Sequence, residues 1–249
     1  MQEKDLKPSR KQRLIFALVA LILVGSSFAA YILIVMGKGT VNYSKMSMEQ
    51  LQNAYSEKAA ELDAEASVLS SQYFEEFKSY KKNVKAYNST TANSNGVQAK
   101  DLKEGDGDAV TSSNYAAYYI GWCSNEDIFD SSFDDFENPT ALKAPLAIKA
   151  NSLIEGWYLG MEGAKIGGIR EITIPGSLAY GESMEVCGGT NSPLKFIVMA
   201  IEKTENYTKI NNELDQIYTA LSNAYAQAYS ASDYSDYYGT TDNTDTSGE

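Results

Sequence analysis

Histidine is absent from all 249 residues, and cysteine occurs only twice, at Cys123 and Cys187. Without an imidazole, no Ser-His or Cys-His hydrolase can be assembled. Two thiols with no histidine do not complete a metal site, so metal catalysis is not expected and no cofactor is implied. Cationic charge is also scarce. Against 33 Asp and Glu stand 21 Lys and Arg, a formal net charge of −12. That balance argues against a nucleic-acid partner, because phosphate contacts need a basic face. Glycine and proline are missing from residues 46–87, and no internal repeat is visible.

The few cations are unevenly placed. Lys4, Lys7, Arg10, Lys11 and Arg13 outweigh Glu3 and Asp5 in residues 1–13. Leu14 to Met36 then runs 23 positions without a charge. At about 1.5 Å per residue it reaches about 34 Å, enough for a bilayer core of ~30 Å. A cleaved signal peptide is the alternative, and "SSFAA" at 26–30 offers small residues. The apolar run nevertheless continues through "YILIVM", which a cleavage site does not allow. The expectation is an uncleaved transmembrane anchor at 14–36, with the basic segment 1–13 cytoplasmic and everything from Gly37 onward outside. Both cysteines then face a compartment where disulfides persist.

The uninterrupted stretch 46–87 predicts a long helix, about 60 Å from end to end. Leu51, Tyr55, Leu62, Leu69, Tyr73, Phe77, Tyr80, Val84 and Tyr87 make one apolar stripe. A strict coiled coil fits poorly, since Lys58 and Glu65 fall on the seam. A stalk or arm packed on another helix is the plain reading. "NSTTANSNG" has linker composition, which sets 88–95 as a linker. From Val97 to about Lys203 come short β-type runs, "NYAAYYIGW", "PLAIKA", "GIREITI" and "LKFIVMAI", with one short helix near Ile154–Met161. Residues 206–230 read as helix again, with Ile210, Leu214, Ile217, Leu221, Tyr225 and Ala228 on one face. The acidic tail 231–249 has few aliphatics and is expected to be disordered.

Several of these runs stand in an order that carries a family resemblance. "GVQAKDLKEGDGDAV" (96–110), "YYIGW" (118–122), "IFDSS" (128–132), "LIEGWYLGMEGAKIGGIREITIP" (153–175), "LAYG" (178–181) and "SPLKFIVMAI" (192–201) follow one another. Residues 96–204 thereby resemble the FKBP-type peptidyl-prolyl cis-trans isomerases, in a membrane-anchored, prokaryote-like form. The resemblance implies an α+β fold: an antiparallel half-barrel of five or six strands wrapped round a short helix. Flanking it would be the transmembrane helix, the long N-terminal helix and the C-terminal helix.

The same resemblance implies a site. Tyr119, Phe129, Asp130, Leu153, Ile154, Trp157, Tyr180 and Phe196 match pocket positions, and Leu146 and Ile148 stand where the family often has aromatics. Trp157 would be the floor under a proline ring and Tyr180 the rim. The Tyr180 hydroxyl and the Ile154 backbone N–H would hold substrate carbonyls, and Asp130, Tyr180 and Tyr119 would be the catalytic group. Asp130 would orient groups near the pocket and would not act as a general base. Read without the motifs, Trp157, Phe129 and Phe196 are plain core, Tyr119 and Tyr180 half-buried strand tyrosines, and Asp130 a turn residue. The loop "ESMEVCGGTNS" lacks the hydrophobic stretch usual beside the pocket and carries Cys187 instead. In this fold the hairpin holding Cys123 approaches that loop, which implies a Cys123–Cys187 disulfide.

The function so expected is isomerisation of Xaa-Pro bonds in unfolded or exported polypeptides outside the cytoplasm, assisting their folding. The helical arms are expected to pair with each other, associate between copies, or cradle clients. Two alternatives stay open: a binding module that kept the fold and lost useful catalysis, and a structural surface protein whose working parts are the helices and tail.

Overall fold

The computed structural model describes residues 41–238, with side chains to 228. The anchor expected at 14–36, the basic segment before it and the tail beyond 238 lie outside the described residues. Among those described, no helix is long and apolar enough to cross a membrane.

The chain order is α1 (Met48–Lys78), α2 (Ser89–Ser94), β1 (Gln98–Lys103), β2 (Tyr115–Trp122), β3 (Ile128–Ser131), β4 (Leu146–Ala147), α3 (Glu155–Met161), β5 (Ile169–Ile174), β6 (Leu194–Glu202) and α4 (Glu205–Tyr238). Helix α1 opens on a capping box. The Ser47 hydroxyl accepts from the Gln50 N–H at 3.3 Å, and the Gln50 side chain accepts from the Ser47 N–H at 2.8 Å. Two orphan donors are thereby satisfied at the helix start. The α-helix ends at Lys78 and tightens into a 3-10 turn, Ser79–Asn83, so the single helix expected to 87 is shorter. Helix α4 runs past its expected end at 230. The segment to Tyr238 has neither Gly nor Pro, and extending a helix costs far less than starting one.

The expected linker 88–95 is also structured. Asn88 caps α2 by accepting from the Thr91 N–H at 2.8 Å. Ser, Thr and Asn favour helix N-termini as readily as loops, which is why composition alone misleads here.

The described residues form two compact units, 61–211 and the remainder. In the remainder, Tyr43, Leu51, Ile217 and Leu221 make a small core, and Lys58 pairs with Glu213 at 2.8 Å.

The unit 61–211 is built on an antiparallel six-stranded sheet in the order β1-β5-β6-β2-β3, with β4 paired to β2. Strand β2 pairs with β6 along its whole length, from Tyr115↔Glu202 to Trp122↔Lys195. Successive side chains leave a strand on opposite faces. Tyr115, Ala117 and Tyr119 join one apolar cluster with Phe196, Val198 and Trp157 of α3. Ala116, Tyr118, Ile120 and Trp122 join another, with Leu69 and Phe77 of α1 and Tyr207 of α4. The second half of α1 is therefore no free arm: it covers a sheet face. Stacked and tilted rings, Phe77 on Phe133 at 5.5 Å and Phe77 on Tyr118 at 6.2 Å, fill that contact. The buried Ser70 hydroxyl accepts from the Leu142 N–H at 2.8 Å, fixing the helix to the hairpin after β3.

Candidate active site

The rings expected to form a site lie together on the α3 face. Trp157 meets Phe196 at 5.3 Å between centroids and Tyr119 at 5.9 Å, both edge-on. Phe129 stands perpendicular to Phe196 at 5.5 Å. Edge-to-face packing at such distances suits the ring quadrupoles. Trp157 is 3% exposed and Phe196 4%, so they form the floor. Tyr119, Phe129, Leu146, Leu153, Ile154 and Tyr180 are half-buried against the same cluster and form its rim. Ile148 departs from expectation. It is 0% exposed within the same apolar cluster, so it supports the site without lining it.

Two glycines let the floor close. A Cβ at Gly121 would stand 2.6 Å from the Phe129 ring and 2.8 Å from the Phe196 ring. A Cβ at Gly156 would meet Ile174 Cγ2 at 2.2 Å, so the residue before Trp157 must be bare for α3 to lie on β5.

Hydrogen bonds hold the rim in place. The Tyr119 hydroxyl donates to Asp130 Oδ2 at 2.5 Å, and the Tyr119 N–H donates to the Ser132 hydroxyl at 2.9 Å. Burial, then the adjacent Asp130 carboxylate, pushes the Tyr119 phenol well above the usual range. Burial and the Asp130 charge also raise the Tyr180 phenol. Both hydroxyls therefore stay protonated donors at neutral pH. Asp130 itself is exposed at the mouth. Ile154 is the N-cap of α3, with φ −59° and ψ 143°.

The sequence reading missed several supports. Trp157 Nε1 donates to the Tyr115 hydroxyl at 2.9 Å in a buried contact, which sets the indole orientation. Burial pushes the Tyr115 phenol up to about 12. Its signal was present, since 115 and 119 share a strand face. The Tyr158 hydroxyl accepts from the Ser152 and Leu153 N–H groups at 3.0 and 3.1 Å and donates to the Lys149 carbonyl at 2.7 Å. It thereby fixes the turn that presents Leu153 and Ile154. Arg170 grips Asp101 in two bonds at 2.6 and 3.0 Å. It also donates to the Gly160 and Glu162 carbonyls, tying the end of α3 to β1 and β5.

Cys123 and Cys187 are disulfide-bonded, with Cα atoms 5.4 Å apart. The bond anchors the loop after Tyr180, and Cys187 packs against the aromatic cluster. Asn93 of α2 secures the same region. Its side chain accepts from the Gly176 N–H at 2.8 Å and donates to the Asn191 carbonyl at 3.4 Å.

No cluster of His, Cys, Asp and Glu suited to a metal ion occurs among the described residues. The chemistry available is that of an apolar aromatic floor, two phenolic donors and one carboxylate.

Comparison with known proteins places the sequence in a family. The family model described as FKBP-type peptidyl-prolyl cis-trans isomerase matches residues 105–201. The FK506-binding protein of Neisseria meningitidis serogroup B is 33% identical over 113 residues, 45% of this chain and 97% of that protein. FK506-binding protein 4 of Emericella nidulans is 37% identical over 108 residues, 43% of this chain and 21% of that protein. Among solved structures, AtFKBP13 matches at 28% identity with a TM-score of 0.35, covering 45% of this chain and 96% of that one. Ordered motifs, an aromatic floor and a relative matched over nearly its full length lead to one conclusion: the chain belongs to the FKBP-type peptidyl-prolyl cis-trans isomerases, enzymes of the isomerase class that act on proline-containing polypeptides.

Proposed function

We propose that the protein isomerises Xaa-Pro bonds of unfolded or newly exported polypeptides outside the cytoplasm, held at the membrane by residues 14–36, and so assists their folding. The observation that carries the catalytic part is the contact of Tyr119, Trp157 and Phe196 around one site, with Asp130 bonded to Tyr119 at its mouth.

A prolyl bond turns over a barrier of ~18–20 kcal/mol set by amide resonance. Its two ends differ by only ~0.5–1 kcal/mol. At the top of the barrier resonance is lost, and the amide is less polar than in either planar state. An apolar floor of Trp157 and Phe196 favours that twisted amide over the planar ones, which is differential binding of the transition state. Seating the proline ring on the aromatics supplies binding energy from the part that does not react. The Tyr180 hydroxyl and Ile154 N–H hold flanking carbonyls, and Asp130 orients Tyr119. No proton is transferred, so a chain without histidine loses nothing.

Supporting the location are the charge-free run at 14–36, the cationic segment before it and the disulfide, which persists in oxidising compartments. Association between copies through the helices is part of the same proposal, and light scattering showing only monomers would reject it. The catalytic test is a protease-coupled assay on proline peptides. Acceleration by the wild type that falls in Asp130→Ala and Tyr180→Ala supports the reading. A wild type that leaves the uncatalysed rate unchanged refutes it.

A further inference from the structure

Beside the aromatic site lies an open groove of about 430 Å³ that the proposed chemistry does not use. Its lining includes Tyr119, Asp130 and Leu146, three residues of the site itself, together with Leu62 of α1 and Tyr207 and Asn211 of α4. Both helices lie outside the stretch 105–201 that the family model matches. A wall of the groove is thus supplied by parts of the chain that the isomerase domain alone does not have.

We propose that this groove holds the stretch of substrate chain next to the proline, so that α1 and α4 give the enzyme a sequence preference beyond the prolyl bond. The inference rests on the isomerase reading of the adjoining site. Continuity is the first argument: Tyr119, Asp130 and Leu146 belong to both the site and the groove lining, so the two adjoin. Size is the second. Volumes of ~300–1,000 Å³ suit small ligands, so a few extended residues fit while a folded partner does not. Chemistry is the third. Leu62, Pro145 and Leu146 offer apolar surface, and Ser131, Ser132 and Asn211 offer polar groups. An extended peptide needs both, for its side chains and its main chain.

The walls are fixed before any ligand arrives. The Tyr207 hydroxyl donates to the Pro145 carbonyl. The Asn211 amide donates to the Tyr207 carbonyl at 2.9 Å, and Lys143 Nζ donates to the Ser131 carbonyl at 2.9 Å. A groove already ordered in this way spends less binding energy on its own ordering.

The test compares a short blocked proline peptide, which spans only the aromatic site, with the same peptide extended by several residues on either side. Affinity and kcat/KM are measured on the full-length protein, on Asn211→Arg, which sets a long side chain in the groove, and on Leu62→Glu. Melting curves confirm that each variant is folded. An extended peptide is expected to bind more tightly and turn over with higher kcat/KM than the short one. Each variant is expected to lower the extended-to-short ratio about fivefold, the scale of one interface contact. A ratio unchanged in the folded variants overturns the proposal. So does a wild type that handles both peptides alike, or a variant that alters oligomeric state and leaves the ratio intact, which gives the groove to a second copy. Failure of the isomerase reading has a different signature: no peptide is accelerated, while the affinity advantage of the extended one, and its loss in the variants, remain.

Discussion

The two faces of the central sheet are built from neighbouring residues of the same strands, yet they are finished in different ways. On one face, Tyr118, Ile120 and Trp122 are sealed under α1 by Phe77 and Leu69, each 5% exposed or less. On the other, Tyr119 and Phe129 keep partly open edges over Trp157 and Phe196, because the short α3 covers only part of the face. Long helices make a closed core; a seven-residue helix leaves aromatic surface for a ligand. Stability should therefore reside mainly on the α1 face and chemistry on the α3 face.

The largest expected effect breaks the closed face. Phe77 is 0% exposed, and Phe77→Ala should cost about 3–5 kcal/mol of unfolding free energy in a urea titration. The rate per folded molecule should stay near wild type. Next comes the tie on the open face. Replacing both Cys123 and Cys187 by Ser releases a loop of sequence separation 64 and should lower stability by up to ~4 kcal/mol in the chain-entropy picture. The same measurement in reductant should bring the wild type close to the variant.

Asp130→Ala inverts the pattern. Its carboxylate is exposed, so stability should change by less than about 1 kcal/mol. Catalytic kcat/KM should nevertheless fall on the order of tenfold, equivalent to ~1.4 kcal/mol of transition-state stabilisation.

The smallest effect concerns pH. The bond from Arg170 holds the Asp101 carboxyl below its ordinary 3.8. A depressed folded value gives stability that is present above the unfolded value and lost as pH falls through the folded one. Asp101→Asn should therefore flatten the acid limb of the stability curve below about pH 4. With the Asp101 side chain 47% exposed, the change should stay under about 1 kcal/mol.

Much of the open face could be read from the chain. The ordered motifs placed Trp157, Tyr119, Phe129 and Phe196 in one site, and the substituted loop pointed to the Cys123–Cys187 bond. The closed face was legible too, but in a weaker signal. "YAAYYIGW" is apolar at every position, and a strand that does not alternate is covered on both sides. The stripe on α1 was read as an arm because a helical stripe says that something packs there, not what. Tyr158 and Asn93 were missed for a related reason. Their hydrogen bonds join segments whose closeness depends on the finished fold. Ile148 was assigned by position in a motif, and position does not tell whether a residue on the right face is partly open or fully buried.

The most direct measurement is the cis/trans interconversion rate of a proline peptide, followed by exchange spectroscopy with catalytic amounts of protein. Wild type, Phe77→Ala below its melting temperature, and Asp130→Ala are compared. The account predicts acceleration proportional to the concentration of folded wild type, retained by Phe77→Ala and cut on the order of tenfold by Asp130→Ala. A wild type without effect, or an Asp130→Ala as fast as wild type beside a folded but inactive Phe77→Ala, would contradict the assignment of chemistry to the α3 face.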